Sequence, residues 1–168
     1  PLADQYANVK APHFVQMVKK QLEEELGKTI VGEGGLSVKT TLDLDAQTTL
    51  ETNITKLFNG EITDGNCGYR NCSQFAGFSN GAAAIEDTKT GQLIALVGSR
   101  DFNYAGFGQD NAATAFIQPG SSIKPLVYAR LFSNQGGNNA NYGSGSILAD
   151  SKTTFPGNYS PNNADNKF

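Results

Sequence analysis

The chain has one histidine, His13, two cysteines, Cys67 and Cys72, and no excess of basic residues: 13 Lys and Arg stand against 16 Asp and Glu, for a net charge of −3. A single histidine cannot furnish a histidine-built metal centre. It lies more than a hundred positions before the serine of interest below, and no G-x-S-x-G elbow surrounds that serine, so a Ser-His-Asp triad is disfavoured. The absence of a basic stripe to neutralise phosphates argues against a nucleic-acid partner. No apolar run approaches the ~20 residues that span a bilayer, and nothing at the N-terminus reads as a signal peptide. The chain begins at Pro1 with no initiator Met. It is therefore expected to be cut from a longer protein, and missing targeting signals say little about that parent.

Cys67 and Cys72 flank four residues of a Gly/Asn-rich stretch. That spacing suits a small disulfide ring in an oxidising compartment. Free thiols are the alternative, and a metal site would need more ligands nearby.

Residues 1–11 read as a linker entering a first helix. Pro12 suits a first helical position, Phe14, Val18, Leu22 and Leu26 recur at i+4 with Val15 beside them, and Gly27 supplies a stop. His13 at that helix start is read as a surface or capping residue. Lys19-Lys20 followed by Glu23, Glu24 and Glu25 is a solvated helix face. Leu36-Ser37-Val38-Lys39-Thr40-Thr41-Leu42 alternates as a strand should and ends at Asp43, a cap for a second helix with Leu50, Ile54, Leu57 and Phe58 on its buried stripe. Residues 59–80 are an exposed excursion. Two apolar runs, Ala82–Asp87 and Gln92–Val97, surround a turn at Thr88-Lys89-Thr90-Gly91 and predict a hairpin whose strands are buried on both faces in the middle of a sheet. Residues 133–146 are a loop by composition. Strands and helices that cluster rather than alternate favour an α+β fold.

The chemistry concentrates in Gln118-Pro119-Gly120-Ser121-Ser122-Ile123-Lys124-Pro125. A serine hydroxyl is a poor nucleophile until a base removes its proton. Lysine can be that base where burial favours its neutral amine, and a residue three positions along a helix reaches its neighbour's side chain. A helix start adds positive potential and free N–H donors for an oxyanion. Pro125 is cheapest near a helix start, so the helix should begin close to Ser121. The competing structural reading makes Ser121 or Ser122 an N-cap and Lys124 a surface residue. SxxK alone is a weak pattern; the longer string is much more restrictive. Lys89-Thr90-Gly91 resembles a triplet found on active-site strands of serine acyltransferases. Here it precedes the serine and sits in a hairpin turn, where Thr and Gly are ordinary residues.

Taken together, these stretches resemble the class A penicillin-binding proteins. The resemblance rests on Ala11-Pro12-His13-Phe14-Val15, Gly35-Leu36 with Val38-Lys39-Thr40-Thr41-Leu42-Asp43, Ala83-Ala84-Ile85, Asp87 through Gly98, the block around Ser121, and Thr154-Phe155-Pro156-Gly157 with Tyr159-Ser160-Pro161-Asn162-Asn163. It implies a partial serine-transpeptidase (penicillin-binding protein or β-lactamase-like) fold, with a central antiparallel sheet, flanking helices and the C-terminal part missing. Residues 1–35 would be a linker region with the first helix, and residues 36–168 the N-terminal portion of the transpeptidase domain. Ser121 would be the nucleophile and an oxyanion donor through its N–H, and Lys124 the general base. No cofactor is implied. The partners would be peptidoglycan stem peptides ending in D-Ala-D-Ala, and β-lactams. The parent would be anchored, by a segment outside this chain, at the extracytoplasmic face of a bacterial membrane.

The family's S-x-N motif and its true K-T-G strand are expected after Phe168, so the chain alone should turn over little or nothing. Two alternatives share the motif or dispense with it: a β-lactam hydrolase or D,D-carboxypeptidase, and a non-catalytic extracellular surface module.

Overall fold

The computed structural model describes residues 6, 8–63, 71–133, 142–163 and 165–167. The chain divides into two compact units, Pro1–Phe116 and Ile117–Phe168.

In the first unit, helix α1 spans Pro12–Leu26, with Pro12 where a missing N–H costs nothing. Phe14 packs with Ala11 and Leu96 at the centre of the core, and Met17, Val18, Leu42 and Leu93 close around them. Burying one such ring contributes about 1.5–3 kcal/mol. The apolar stripe fades toward the last turn, where Leu26 is exposed. Gly27 ends the helix as expected, its N–H donating to the Glu23 carbonyl. A short helix α2, Lys28–Glu33, then follows on a largely exposed stretch. The polar face carries Lys19–Glu23 and Lys20–Glu24 ion pairs one turn apart, at 3.7 and 3.9 Å. Exposed pairs of this kind contribute only a few tenths of a kcal/mol.

Helix α3, Leu44–Asn59, starts where the sequence placed its cap. The Asp43 carboxylate accepts from the N–H groups of Asp45 and Ala46, both at 3.0 Å. Leu50, Ile54, Leu57 and Phe58 form a half-buried stripe. Helix α4, Cys72–Ala76, is one capped turn within the expected excursion, with Cys72 and Ser73 buried. Residues 64–70 and 134–141, which include part of that excursion and most of the expected loop, lie outside the described residues.

Strands β1, Ala83–Glu86, and β2, Leu93–Val97, form the expected antiparallel hairpin. The register pairs Ala83 with Val97 and Ala84 with Leu96, and shifts between Ile85 and Glu86. Ala95, Leu96 and Val97 are buried, whereas Ala84 and Glu86 of β1 are exposed, so β1 is covered on one face only and not on both as expected. Helices α1 and α3 pack against β2. An α+β arrangement with an antiparallel sheet and helices is thus present. Among the described residues the sheet has two strands.

The strand expected at residues 36–42 is not formed, and Leu36 and Val38 are exposed. The reason lies at the edge of β2. One backbone bond, from Asp43 N–H to the Ile94 carbonyl, ties the segment to β2, with the Thr41 hydroxyl donating to the Leu93 carbonyl. The Asp43 cap then turns the chain into α3. The pairing with Leu96 passes to a side chain: the Gln47 amide accepts from Leu96 N–H at 2.8 Å and donates to the Leu96 carbonyl at 3.0 Å. Gln47 is 1% exposed. It serves as a one-residue substitute for a third strand at an edge that would otherwise leave buried polar groups unmade.

In the second unit, a 3₁₀ turn at Gly120–Ile123 runs into helix α5, Lys124–Phe132, with Pro125 in its first turn. The remainder is irregular. A bridge between Phe155 and Tyr159 closes over Pro156, Gly157 and Asn158, and the Ser160 hydroxyl donates to the Thr153 carbonyl at 3.1 Å.

Candidate active site

Gly120 takes φ +54°, a left-handed conformation that suits glycine. It thereby sets the bend from which the 3₁₀ turn starts. Ser121 is the second residue of that turn and Lys124 the first of α5. Side chains three apart eclipse in a 3₁₀ turn, so the two share one face. The Lys124 N–H donates to the Ser121 carbonyl, which fixes the junction. The neighbouring hydroxyl, Ser122, is occupied locally, donating to the Pro119 carbonyl. Neither the Ser121 nor the Lys124 side chain makes a hydrogen bond or ion pair among the described residues, and both are exposed.

This exposure departs from the dry helix start that the sequence reading required. The helix that presents the pair is itself uncovered: Leu126 is 66% and Val127 57% exposed, with Tyr128 and Phe132 also open. Of its apolar positions only Leu131 is half-buried. A lysine reaches the neutral form needed of a base through burial, and nothing described in this unit buries it.

The Lys89-Thr90-Gly91 triplet occupies the β1–β2 turn. The Asp87 carboxylate accepts from Lys89 N–H at 2.8 Å and from Thr90 N–H at 2.9 Å, and Gly91 takes φ +70°. Those two bonds, Thr90's first, hold the Asp87 carboxyl below its ordinary value. The triplet is a turn with a structural task, as its sequence position indicated.

Cys72 is disulfide-bonded. Cys67 lies outside the described residues. Among the described residues no group of three or more His, Cys, Asp and Glu side chains gathers as metal ligands would, and no helix is long and apolar enough to cross a membrane.

His13 corrects the sequence reading. It is 4% exposed, not a surface or capping residue. Its Nε2 donates to the Gly108 carbonyl at 2.8 Å, with the Ser99 hydroxyl 3.4 Å away and donating to that same carbonyl at 2.6 Å. The Phe102 ring meets the imidazole edge to face at 5.0 Å. A carbonyl can only accept, so Nε2 carries the proton. Burial pushes the His13 pKa down, opposed by the Gly108 bond and the Glu51 charge. His13 thus ties α1 to the loop after β2. Its partner is 95 positions away, and no local pattern signals it.

The same unit holds a cleft of 380 Å³ that the sequence did not reveal, between α1, α3 and the segment from Ser99 to Tyr104. Its lining includes Arg100, whose guanidinium carbon lies 4.6 Å from the Phe58 ring centroid and 4.7 Å from that of Tyr104.

No family model matches the chain. Individual curated proteins do. The chain is 35% identical to penicillin-binding protein 2D of Bacillus subtilis over 130 residues, 76% of this chain and 16% of that protein. It is 29% identical to penicillin-binding protein 1B of Vibrio cholerae over 164 residues, 95% of this chain and 19% of that one. Penicillin-binding protein 1F of Bacillus subtilis matches at 29% over 160 residues, 92% of this chain and 19% of its own length. The chain therefore spans about a fifth or less of the relatives it matches.

Proposed function

We propose that this chain, a segment of the penicillin-binding protein family by those relatives, carries the nucleophile-bearing part of a peptidoglycan D,D-transpeptidase. Residues 1–35 would be the linker region and residues 36–168 the start of the catalytic domain. Ser121 is the nucleophile and Lys124 its general base. The observation that carries this reading is the Gln118–Pro125 string lying at a 3₁₀-to-α junction, with the hydroxyl and the amine three residues apart on one face.

The steps follow from the groups present. Lys124, as the neutral amine, takes the Ser121 hydroxyl proton as Oγ attacks the penultimate D-Ala carbonyl of a stem peptide. The Ser121 N–H donates to the oxyanion. Collapse breaks the peptide C–N bond, the proton passes to the leaving D-Ala amine, and an ester remains on Ser121. An amine of a second stem peptide then attacks the ester, which restores the hydroxyl and forms the cross-link. A β-lactam would acylate the same oxygen by opening its ring amide. The parent would act at the extracytoplasmic face of a bacterial membrane.

The exposure of Ser121, Lys124 and α5 supports a further part of the proposal: this chain alone turns over little. Elements outside this unit would supply the cover that favours a neutral amine. A fluorescent penicillin tests both parts. The longer parent should be labelled one to one, and Ser121→Ala should abolish the label. No label on a folded parent refutes the function, and stoichiometric labelling of this chain alone refutes the need for cover.

A further inference from the structure

We infer that the cleft of the first unit is a binding site for a peptide-like zwitterion, with the ligand's carboxylate on Arg100 and its ammonium toward Glu51 and Asp101. The inference is independent of Ser121 and of the reaction proposed above.

Three observations converge on this. First, Arg100 is pre-positioned. Its guanidinium is stacked against both Phe58 and Tyr104, its backbone N–H donates to Asn80 Oδ1 at 2.9 Å, and one Nη1 donates to the Ser79 carbonyl at 3.3 Å. A guanidinium offers five N–H donors, and most of these remain unspent among the described residues. A planar fork already held by two rings loses little freedom on taking a carboxylate.

Second, the cleft also presents acidic side chains. Glu51 and Asp101 line it with Arg100, yet no carboxylate lies within ion-pair distance of Arg100 among the described residues. Each acid is turned to a neutral donor instead. Glu51 accepts from the Gln47 amide at 2.7 Å, and Asp101 accepts from Asn103 N–H at 2.9 Å. Charges of both signs, each fixed locally and none satisfied by the other, match a ligand that carries both signs itself. A simple anion would meet two carboxylates, and a simple cation would meet Arg100.

Third, the walls and size fit. Phe102 and Tyr104 give apolar faces, and 380 Å³ accommodates a dipeptide rather than a folded partner.

The test is titration of the ¹⁵N-labelled chain with diglycine, its C-terminal amide, N-acetyl-diglycine and acetate, followed by amide shifts. Diglycine should move the amides of residues 51 and 100–104. Amidation should weaken binding about tenfold, as expected for loss of a charge-assisted pair, and acetylation should weaken it less. Arg100→Gln should remove the preference for the free carboxylate. If that variant loses its fold, the ligand series on the unaltered chain still decides. Equal shifts from diglycine and its amide, shifts confined to other residues, or no shifts would overturn the inference. Acetate binding as well as diglycine would mark a bare anion site and overturn it too.

Discussion

Gln47 offers the sharpest test of how the first unit holds together. Its amide makes two bonds with one residue, accepting from Leu96 N–H at 2.8 Å and donating to the Leu96 carbonyl at 3.0 Å. Both partners lie in a buried strand. Replacing Gln47 by Ala leaves a buried donor and a buried acceptor unmade. Each costs about 1–3 kcal/mol, and water entering the gap recovers part of that, so the net loss should be about 3 kcal/mol. Gln47→Glu separates the two bonds. It keeps an acceptor for Leu96 N–H but places a second oxygen against the Leu96 carbonyl, and it sets a like charge beside Glu51. It should cost at least as much as the alanine.

The assay is urea unfolding combined with amide hydrogen exchange at Leu96, since local opening can expose one amide without global unfolding. Faster exchange at Leu96 and a lower midpoint are expected in both variants. Unchanged Leu96 protection in Gln47→Ala, with stability within the ~0.5 kcal/mol typical of surface changes, would refute the view that this amide replaces a strand.

Three further outcomes follow from the same geometry. His13 has its folded pKa lowered by burial from an ordinary 6.5, so its contribution is fully present above that value and is lost as pH falls from 6.5 toward the folded value. Unfolding midpoints should drop between pH 7 and 5, and the drop should flatten in His13→Gln; an identical profile in the variant would contradict the assignment. Gly108→Ala would place a methyl 2.5 Å from the backbone of Asp101, Phe102 and Tyr104. It should cost about 1–3 kcal/mol by overpacking, read as a lowered thermal midpoint. Gly120→Ala meets no neighbour but inherits φ +54°, so it should cost about 1 kcal/mol of local strain and slow β-lactam acylation of the parent while leaving the first unit's Leu96 exchange unchanged.

Much of this was legible in the sequence, for identifiable reasons. The hairpin showed because two short apolar runs flank a turn whose Asp87 and Gly91 act locally. The Pro12 start, the Gly27 stop and the Asp43 cap are likewise decided within a few residues. The segment at 36–42 misled because alternation reports a face that could be buried, whereas pairing depends on which partner takes the edge. Here the segment reaches the edge only at Thr41 and Asp43, and Gln47 takes the next position at Leu96. His13 and Arg100 were out of reach for the same reason: Gly108 and Phe58 meet them only through tertiary packing. For Ser121 and Lys124, spacing and helix start could be read, but the solvent around the amine depends on what covers α5.

In the proposed reaction Ser121 becomes acylated with Lys124 as its base. The most direct measurement is intact mass and peptide mapping of the full-length parent after exposure to penicillin, across wild type, Ser121→Ala and Lys124→Ala. A single adduct is expected on the peptide containing Ser121, none in Ser121→Ala, and acylation slowed by at least about 10²-fold in Lys124→Ala, the usual scale for a lost general base. An adduct on another residue, or Lys124→Ala acylating at the wild-type rate, would contradict it.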